Sequence, residues 1–257
     1  MINKEAIEGH LTKMSCNKAI TVEVLDEADS TNQWLMQRPY DGKETACFTD
    51  NQTQGRGRRG REWQSKPGAS LCMSYLNRLP MSVSEISGFS LAVAVYCRDS
   101  LQQAIEDPIQ LKWPNDLLLN GKKVAGILIE TQKITDDYVD LVIGIGVNIA
   151  DVYPEASSLQ AGNPVAEIES DIIAAKLSVA LHLLFNEYVA VGFKAFKSRW
   201  LEHDAWLYEA VQLQMGEKQT LGLHQGVTDN GELILNINGS DQTFAAGEVS
   251  VRHASSR

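Results

Sequence analysis

From Gln52 the chain runs Gln-Thr-Gln-Gly-Arg-Gly-Arg-Arg-Gly-Arg, and no other stretch limits its fold so sharply. Arg56, Arg58, Arg59 and Arg61 stand close together, spaced by Gly55, Gly57 and Gly60, with no acid among them. The segment has neither helical periodicity nor strand alternation, so residues 51–68 read as a loop. Guanidinium groups stay charged and grip phosphate through paired N–H donors. Glycines let the backbone approach a ligand and offer N–H groups to an anion. Unscreened arginines repel one another, so such a loop is expected to order around a polyanion. A solvated basic segment of the RNA-binding kind is the other reading. The rest of the chain favours a small polyanion such as a nucleotide: 33 acidic against 23 basic residues leave a net charge of −10. That balance argues against a general nucleic-acid or anionic-membrane binder.

The same glycines match GxGxxG. A dinucleotide fingerprint needs a helix next, opening a βαβ unit. Here Gly60 is followed by Arg-Glu-Trp-Gln-Ser-Lys-Pro-Gly and then a strand, so that reading fails. The chain also lacks a GxxxxGK[ST] loop, HExxH and GxSxG.

Hydrophobic periodicity lays out the rest. Strands are predicted at 20–25, 45–49 and 70–76, and a helix at 32–38 capped by Asp29 or Ser30. A longer helix should start at Ser82 or Ser84 and reach about Ile105, with Ile86, Phe89, Ala92, Val93 and Tyr96 as its apolar stripe. Strand 109–112 precedes Trp113-Pro114, where proline breaks pairing. Strands 117–119 and 124–130 flank Asn120-Gly121, a tight-hairpin signal. A long strand, 138–149, leads to a linker with Pro154, Gly162 and Pro164 and then to helices at 169–189 and 192–204. From Trp206 short alternating runs are punctuated by Met215-Gly216, Asn230-Gly231 and Asn238-Gly239, the texture of a small antiparallel barrel. The expected division is 1–205 and 206–257.

A chain of 257 residues can bury a sizeable core without staples. Cys16, Cys47, Cys72 and Cys97 are widely spaced with no CxxC, so reduced core thiols are expected rather than a zinc cluster or a disulfide frame. The N-terminus shows no leader pattern, and no apolar run reaches the roughly 18 residues of a membrane helix. A soluble cytoplasmic protein is expected.

Three further segments carry chemistry. In Lys112-Trp113-Pro114-Asn115-Asp116 the short oxygen side chains suit hydrated Mg²⁺ or nucleotide hydroxyls, or else mark a polar strand end with a surface aromatic. Lys122 and Lys123 open an apolar strand ending at Glu130 and should face opposite sides of the sheet. Lysines there usually snorkel to solvent. If one face is a ligand cleft, one of the two enters it and can neutralise a carboxylate and a phosphate brought together. In Gly144-Ile-Gly146-Val-Asn148, glycines inside a strand suggest close approach of a ligand, or a bulge.

In this order, Asp29–Gln33, Gln52–Trp63, Lys112–Asp116, Lys123–Glu130 and Gly144–Asn148 resemble the biotin protein ligases, also called biotin–[acetyl-CoA-carboxylase] ligases. The likeness spans about Asp26 to Ala150, and Gly247–Arg252 resembles the end of that family's SH3-like domain. It implies an α+β fold: a mixed sheet with helices on one side, as in class II synthetases, followed by a small SH3-like β-barrel. It implies an enzyme that makes biotinyl-5′-AMP from biotin and ATP with Mg²⁺, then transfers biotin to a lysine of a biotin carboxyl carrier domain. By similarity Ser30, Thr31, Asn32 and Gln52 should hold biotin's ureido ring and tail, with Arg56, Gly57 and Arg58 closing over it. Arg58 and Arg61 should face ATP phosphates, and Lys123 the carboxylate–phosphate junction, with Lys123 and Arg58 as the catalytic pair. Asn115 and Asp116 should contact nucleotide, Asp116 also Mg²⁺, while Trp63 and Asn148 wall the nucleotide site. The segment before the core is too short for the family's winged helix-turn-helix, so no DNA binding is expected. A homodimer is open to such a chain. A lipoate ligase of the same superfamily, or an adenylate-binding regulator without transfer activity, is the nearest alternative.

Overall fold

The structure, a computed structural model, describes every residue except Met1, Asn17, Lys18, Asp151, Val152, Pro164, Ala166, Glu248 and 255–257. Pro164 of the expected linker and Glu248 of the C-terminal motif therefore lie outside the described residues. Seven strands form a mixed sheet: β1 (Ile20–Val24), β2 (Glu44–Thr49), β3 (Ser70–Leu79), β4 (Ile109–Lys112), β5 (Asp116–Leu119), β6 (Lys122–Ile134) and β7 (Val139–Asn148). Their order is β1-β2-β3-β7-β6-β5-β4, with β1 parallel to β2 and all other pairs antiparallel. Asn120 and Gly121 both take left-handed φ, 52° and 75°, the conformation a two-residue type I′ hairpin needs.

Side chains alternate between the faces of a strand, and register assigns each face a character. The row Phe48, Met73, Ile145, Ile127 enters the main core. Its neighbouring row, Thr49–Cys72–Gly146–Gly126–Asp116, and the row Cys47–Ser74–Gly144–Leu128 point the other way and, Leu128 apart, are small or polar. Three helices cover the apolar face: α1 (Lys4–Lys13), α3 (Phe89–Gln102) and α4 (Ser170–Val191). Phe89 locks α3 to α4, edge-on to Tyr188 at 4.8 Å and to Phe185 at 5.3 Å. The six-residue α2 (Thr31–Met36) lies on the opposite, polar face, where Leu35 packs on Cys47, Leu76 and Val142.

Two helix expectations are corrected. α3 starts at Phe89, because Gly88 adopts φ 78° and residues 82–88 are spent in turns. There the Glu85 carboxylate accepts from Ser82 N–H at 2.9 Å. The expected helix 192–204 is a 3-10 turn, Phe193–Ala195, then α5 (Lys197–Glu202), since Gly192 ends α4 in a conformation outside the helix. α4 has the length and mean hydropathy of a membrane span, although no unbroken apolar run is that long; 56% of that window is buried in the fold, where it forms the central core helix.

The last strands, β8 (Ala210–Met215), β9 (Lys218–Val227), β10 (Leu233–Ile237), β11 (Ser240–Phe244) and β12 (Val249–His253), make an antiparallel sheet of order β11-β10-β9-β8-β12. Gly216, Gly231 and Asn238-Gly239 turn it with left-handed φ. The joint to the first sheet is polar and buried. Asp204 pairs with His224 Nε2 at 2.7 Å and accepts from Trp200 Nε1 at 3.2 Å, while Trp113 Nε1 donates to Gly231 O at 3.0 Å. Trp113 is thus a buried link between the sheets, not a surface aromatic. All four cysteines are free, and Cys47, Cys72 and Cys97 are buried.

Candidate active site

The polar face of the sheet is hollow because Gly126, Gly144 and Gly146 carry no side chain there. All three glycines line a cavity, and the protein's own side chains lie close over them. A Cβ on Gly144 would lie 2.4 Å from Asn32 Oδ1, and one on Gly146 2.1 Å from Trp63 Cε2. One on Gly126 would lie 2.6 Å from Lys123 Nζ. Burial pushes the Cys72 thiol beside this floor up to about 12, so it stays a neutral wall.

Ser30 caps α2 with extended φ and ψ, accepting from Gln33 N–H, and so fixes the direction of Thr31 and Asn32. Both are buried. Thr31 donates from N–H and Oγ1 to Gln52 Oε1 at 2.8 and 3.1 Å. Ser74 Oγ contacts Thr31 Oγ1 and Asn32 Oδ1 from beneath. Asn32 Nδ2 donates to Glu130 Oε2 at 2.8 Å. A row of neutral donors and acceptors therefore lines one end of the site.

The arginine loop closes on itself. Trp63 N–H donates to Gly55 O at 2.9 Å and Gly57 N–H to Arg61 O at 2.7 Å, with Arg59 and Gly60 at φ 60° and 69° making the turn. A Cβ on Gly55 would lie 2.1 Å from Trp63 O, so this close crossing needs glycine. Arg56 is paired with Glu130 at 2.7 Å. Arg58 donates to Asn115 Oδ1 at 3.1 Å and to the carbonyls of Ala246 and Gly247, tying the loop to the C-terminal sheet. Burial lowers the Arg58 guanidinium from its ordinary value, yet arginine stays charged at neutral pH.

Lys123 reaches this face through a bulge. Leu117 pairs with Ala125 but Leu118 with Lys123, which leaves Val124 as an extra residue on β6. The bulge reverses the alternation: Lys123 joins Gly126 on the polar face, while Lys122 turns out to Pro154 O. Asp116 sits between two ammonium groups, Lys123 Nζ at 2.6 Å and Lys112 Nζ at 3.3 Å. Burial alone would raise this carboxyl, but the two lysines outweigh it and hold it below the usual carboxylate range. With both oxygens engaged by cations, Asp116 does not fit the expected Mg²⁺ ligand. Among the described residues no group of three or more His, Cys, Asp and Glu could hold a metal ion.

Three adjoining cavities follow. One of about 50 Å³ lies among Ser30, Thr31, Asn32, Gln52, Arg56, Gly57, Arg58, Trp63 and Lys123. Beside it a cleft of about 140 Å³ is lined by Arg58, Arg59, Arg61, Lys112, Lys123 and Arg252, against Asp116 and Glu62. A wider mouth of about 690 Å³ opens under the loop, past Glu130. The sequence-predicted residues converge here with one exception. Asn148 lines none of these cavities; its buried amide ties down the carbonyls of Lys123 and Ser157 at 3.3 and 3.0 Å. Ser74 was missed, and Lys112, Glu130 and Arg252 stood in quoted motifs without being given a place in the site.

Residues 24–148 match the Biotin/lipoate A/B protein ligase family, and residues 209–252 the Biotin protein ligase C terminal domain. The "Bifunctional ligase/repressor BirA" of Escherichia coli is 34% identical over 260 residues, which cover 99% of this chain and 79% of that one. The chain belongs to the biotin protein ligase family. The "Biotin--[acetyl-CoA-carboxylase] ligase" of Paracoccus denitrificans, another member, is 31% identical over 88% of this chain and 98% of its own. Among solved structures, the biotin protein ligase of Aquifex aeolicus in complex with biotin and ATP is 28% identical. It superposes with a TM-score of 0.80 over 91% of this chain and 99% of that one. The glycine floor, the arginine loop and the lysine pair of this biotin protein ligase all lie within residues 24–148.

Proposed function

We propose that this chain forms biotinyl-5′-AMP from biotin and ATP, then transfers the biotinyl group to a lysine of a biotin carboxyl carrier domain. The observation that carries this is a juxtaposition. A pocket lined by the neutral polar groups of Thr31, Asn32 and Gln52 adjoins a cleft lined by six cations, and Lys123 borders both. Biotin's ureido ring is neutral and alternates donors with acceptors, so it suits the first; a triphosphate suits the second.

In the first step a biotin carboxylate oxygen attacks the α-phosphorus of ATP and pyrophosphate leaves. Two negative charges about 4 Å apart repel by about 4 kcal/mol at an effective dielectric of 20. Lys123 stands at that junction, aimed by Asp116. Arg58, Arg61 and Lys112 take charge from the phosphates, with Arg59 and Arg252 at the rim. Asn115 and Trp63 wall the nucleotide, and Arg56 with Gly57 closes over biotin. Mg²⁺ is read as the counter-ion of ATP. In the second step the carrier's lysine amine attacks the biotinyl carbonyl, the C–N bond forms and AMP departs.

On the same reading residues 1–205 bind biotin and ATP, and residues 206–257 form the smaller domain that closes the phosphate cleft. The test is post-translational biotinylation of a carrier domain in the presence of ATP and Mg²⁺, with lipoate as comparator. Transfer of biotin but not lipoate is expected; transfer of lipoate alone, or of neither, would overturn the reading.

A further inference from the structure

We infer that Glu130 is a positioning residue that locks the arginine loop to α2 and sets the charge state of the biotin end of the site. This rests on the ligase reading above.

Glu130 lies on the polar face of β6, opposite Val142. Its carboxylate accepts from Arg56 Nη2 at 2.7 and 2.9 Å and from Asn32 Nδ2 at 2.8 Å. Asn32 Oδ1 meets Ser74, Ser74 meets Thr31, and Thr31 meets Gln52. Gln52 begins the very loop that carries Arg56. The contacts therefore close a ring, out along the loop to Arg56 and back through Glu130, Asn32, Ser74 and Thr31. Glu130 is the only anion in that ring.

Two features argue for a carboxylate doing more than bracing a helix. First, α2 is braced from two residues further along the strand. Gln132 Nε2 donates to the carbonyls of Leu35, Met36 and Arg38 at 3.0, 3.2 and 2.6 Å, which holds the C-terminal end of the helix. Second, Glu130 neutralises Arg56 where a neutral bicycle is to bind, and leaves Lys123 and Arg58 as the cations at the reacting carboxyl. A glutamine could not replace it: one of its two positions would be an NH₂ donor facing a guanidinium or an amide NH₂.

The experiment uses the full chain with Glu130→Gln, Glu130→Asp, Arg56→Ala and the Glu130→Gln/Arg56→Ala double variant. Biotin is titrated calorimetrically. Trypsin cleavage after Arg58 is timed by mass spectrometry, since Arg58 is the half-buried arginine of the loop, tied to Asn115, and is cut only when the loop opens. The Arg56–Glu130 pair is partly solvated, so the effect of Glu130→Gln is about fivefold in biotin Kd and a similar factor in cleavage rate. KM for biotin rises with it while kcat at saturating biotin stays within about twofold. Glu130→Asp recovers part of both effects. In the double variant the Glu130→Gln effect on cleavage disappears, because its partner is already gone. Wild-type affinity and protection in Glu130→Gln would overturn the inference, as would full additivity in the double variant. A wild-type chain that binds no biotin would instead overturn the ligase reading, and the cleavage comparison would still decide the coupling.

Discussion

Gly144→Ala separates the floor of the site from the fold that carries it. The new Cβ would lie 2.4 Å from Asn32 Oδ1, 2.9 Å from its Cγ and 3.0 Å from Nδ2, where ordinary contact begins at 3.4 Å. Asn32 must therefore retreat by about 1 Å, and a hydrogen bond does not survive a shift of that size. It is held by Ser74 on one side and Glu130 at 2.8 Å on the other. Losing one neutral and one charge-assisted bond amounts to about 2 kcal/mol. If Asn32 holds biotin, Kd rises about 30-fold, at 1.4 kcal/mol per decade. A chain of this size loses about 2–4 °C in Tm per kcal/mol, so the melt moves down by roughly 4–8 °C. Gly9→Ala is the control: it sits within α1 with nothing within 4 Å of its Cβ and should leave biotin binding alone. In an Asn32→Ala background, Gly144→Ala should change Tm little, since the clashing group is absent. Calorimetric biotin titration and thermal melts read all of these. Wild-type biotin affinity in Gly144→Ala would refute the assignment of Asn32.

Lys123→Ala should slow formation of the adenylate by about 10²–10³, measured as biotin-dependent pyrophosphate release in a single turnover. Arg58→Ala should let the adenylate escape, because its guanidinium clasps the loop to Ala246 and Gly247; free biotinyl-5′-AMP in the filtrate is the readout. Asp116 is held below the usual carboxylate range by Lys123 and Lys112, so the stability it contributes is present above the unfolded value of about 3.9 and is lost as pH falls through the lowered folded value. The stability gap between wild type and Asp116→Asn, from urea melts at stepped pH, should be full above about pH 4 and shrink below it. A gap that grows on acidification would contradict that pairing.

Much of the sheet was legible because its signals are local. Asn120-Gly121 announces its turn, and Ser30 its cap, from the residues themselves. The start of α3 was not, since the apolar stripe extends back to Ile86 and only the backbone at Gly88 shows where the helix begins. α4 was legible as a helix, but its burial under α1, α3 and the sheet is a property of the whole fold. In the site, the arginine loop and the lysines stood out by composition. Which lysine enters was not deducible from alternation, since counting back from Gly126 points Lys122 inward; the family resemblance named Lys123, and the bulge at Val124 is what puts it there. Ser74 sits in an unremarkable apolar strand. Arg252 arrives from a different sheet, so no spacing in the sequence could place it beside Arg58. The glycines were read as space for a ligand, and they line the cavity; what the sequence could not show is that Trp63 and Asn32, from distant segments, lie close over them.

The most direct test of the account is a single-turnover mix of the full chain with biotin, ATP and Mg²⁺, followed by a carrier domain. The expected course is a burst of about one pyrophosphate per chain, dependent on biotin, and on adding carrier an equal release of AMP with biotin joined to its lysine by an amide. Pyrophosphate release that ignores biotin, or an adenylate that forms but never passes to a competent carrier, would contradict it.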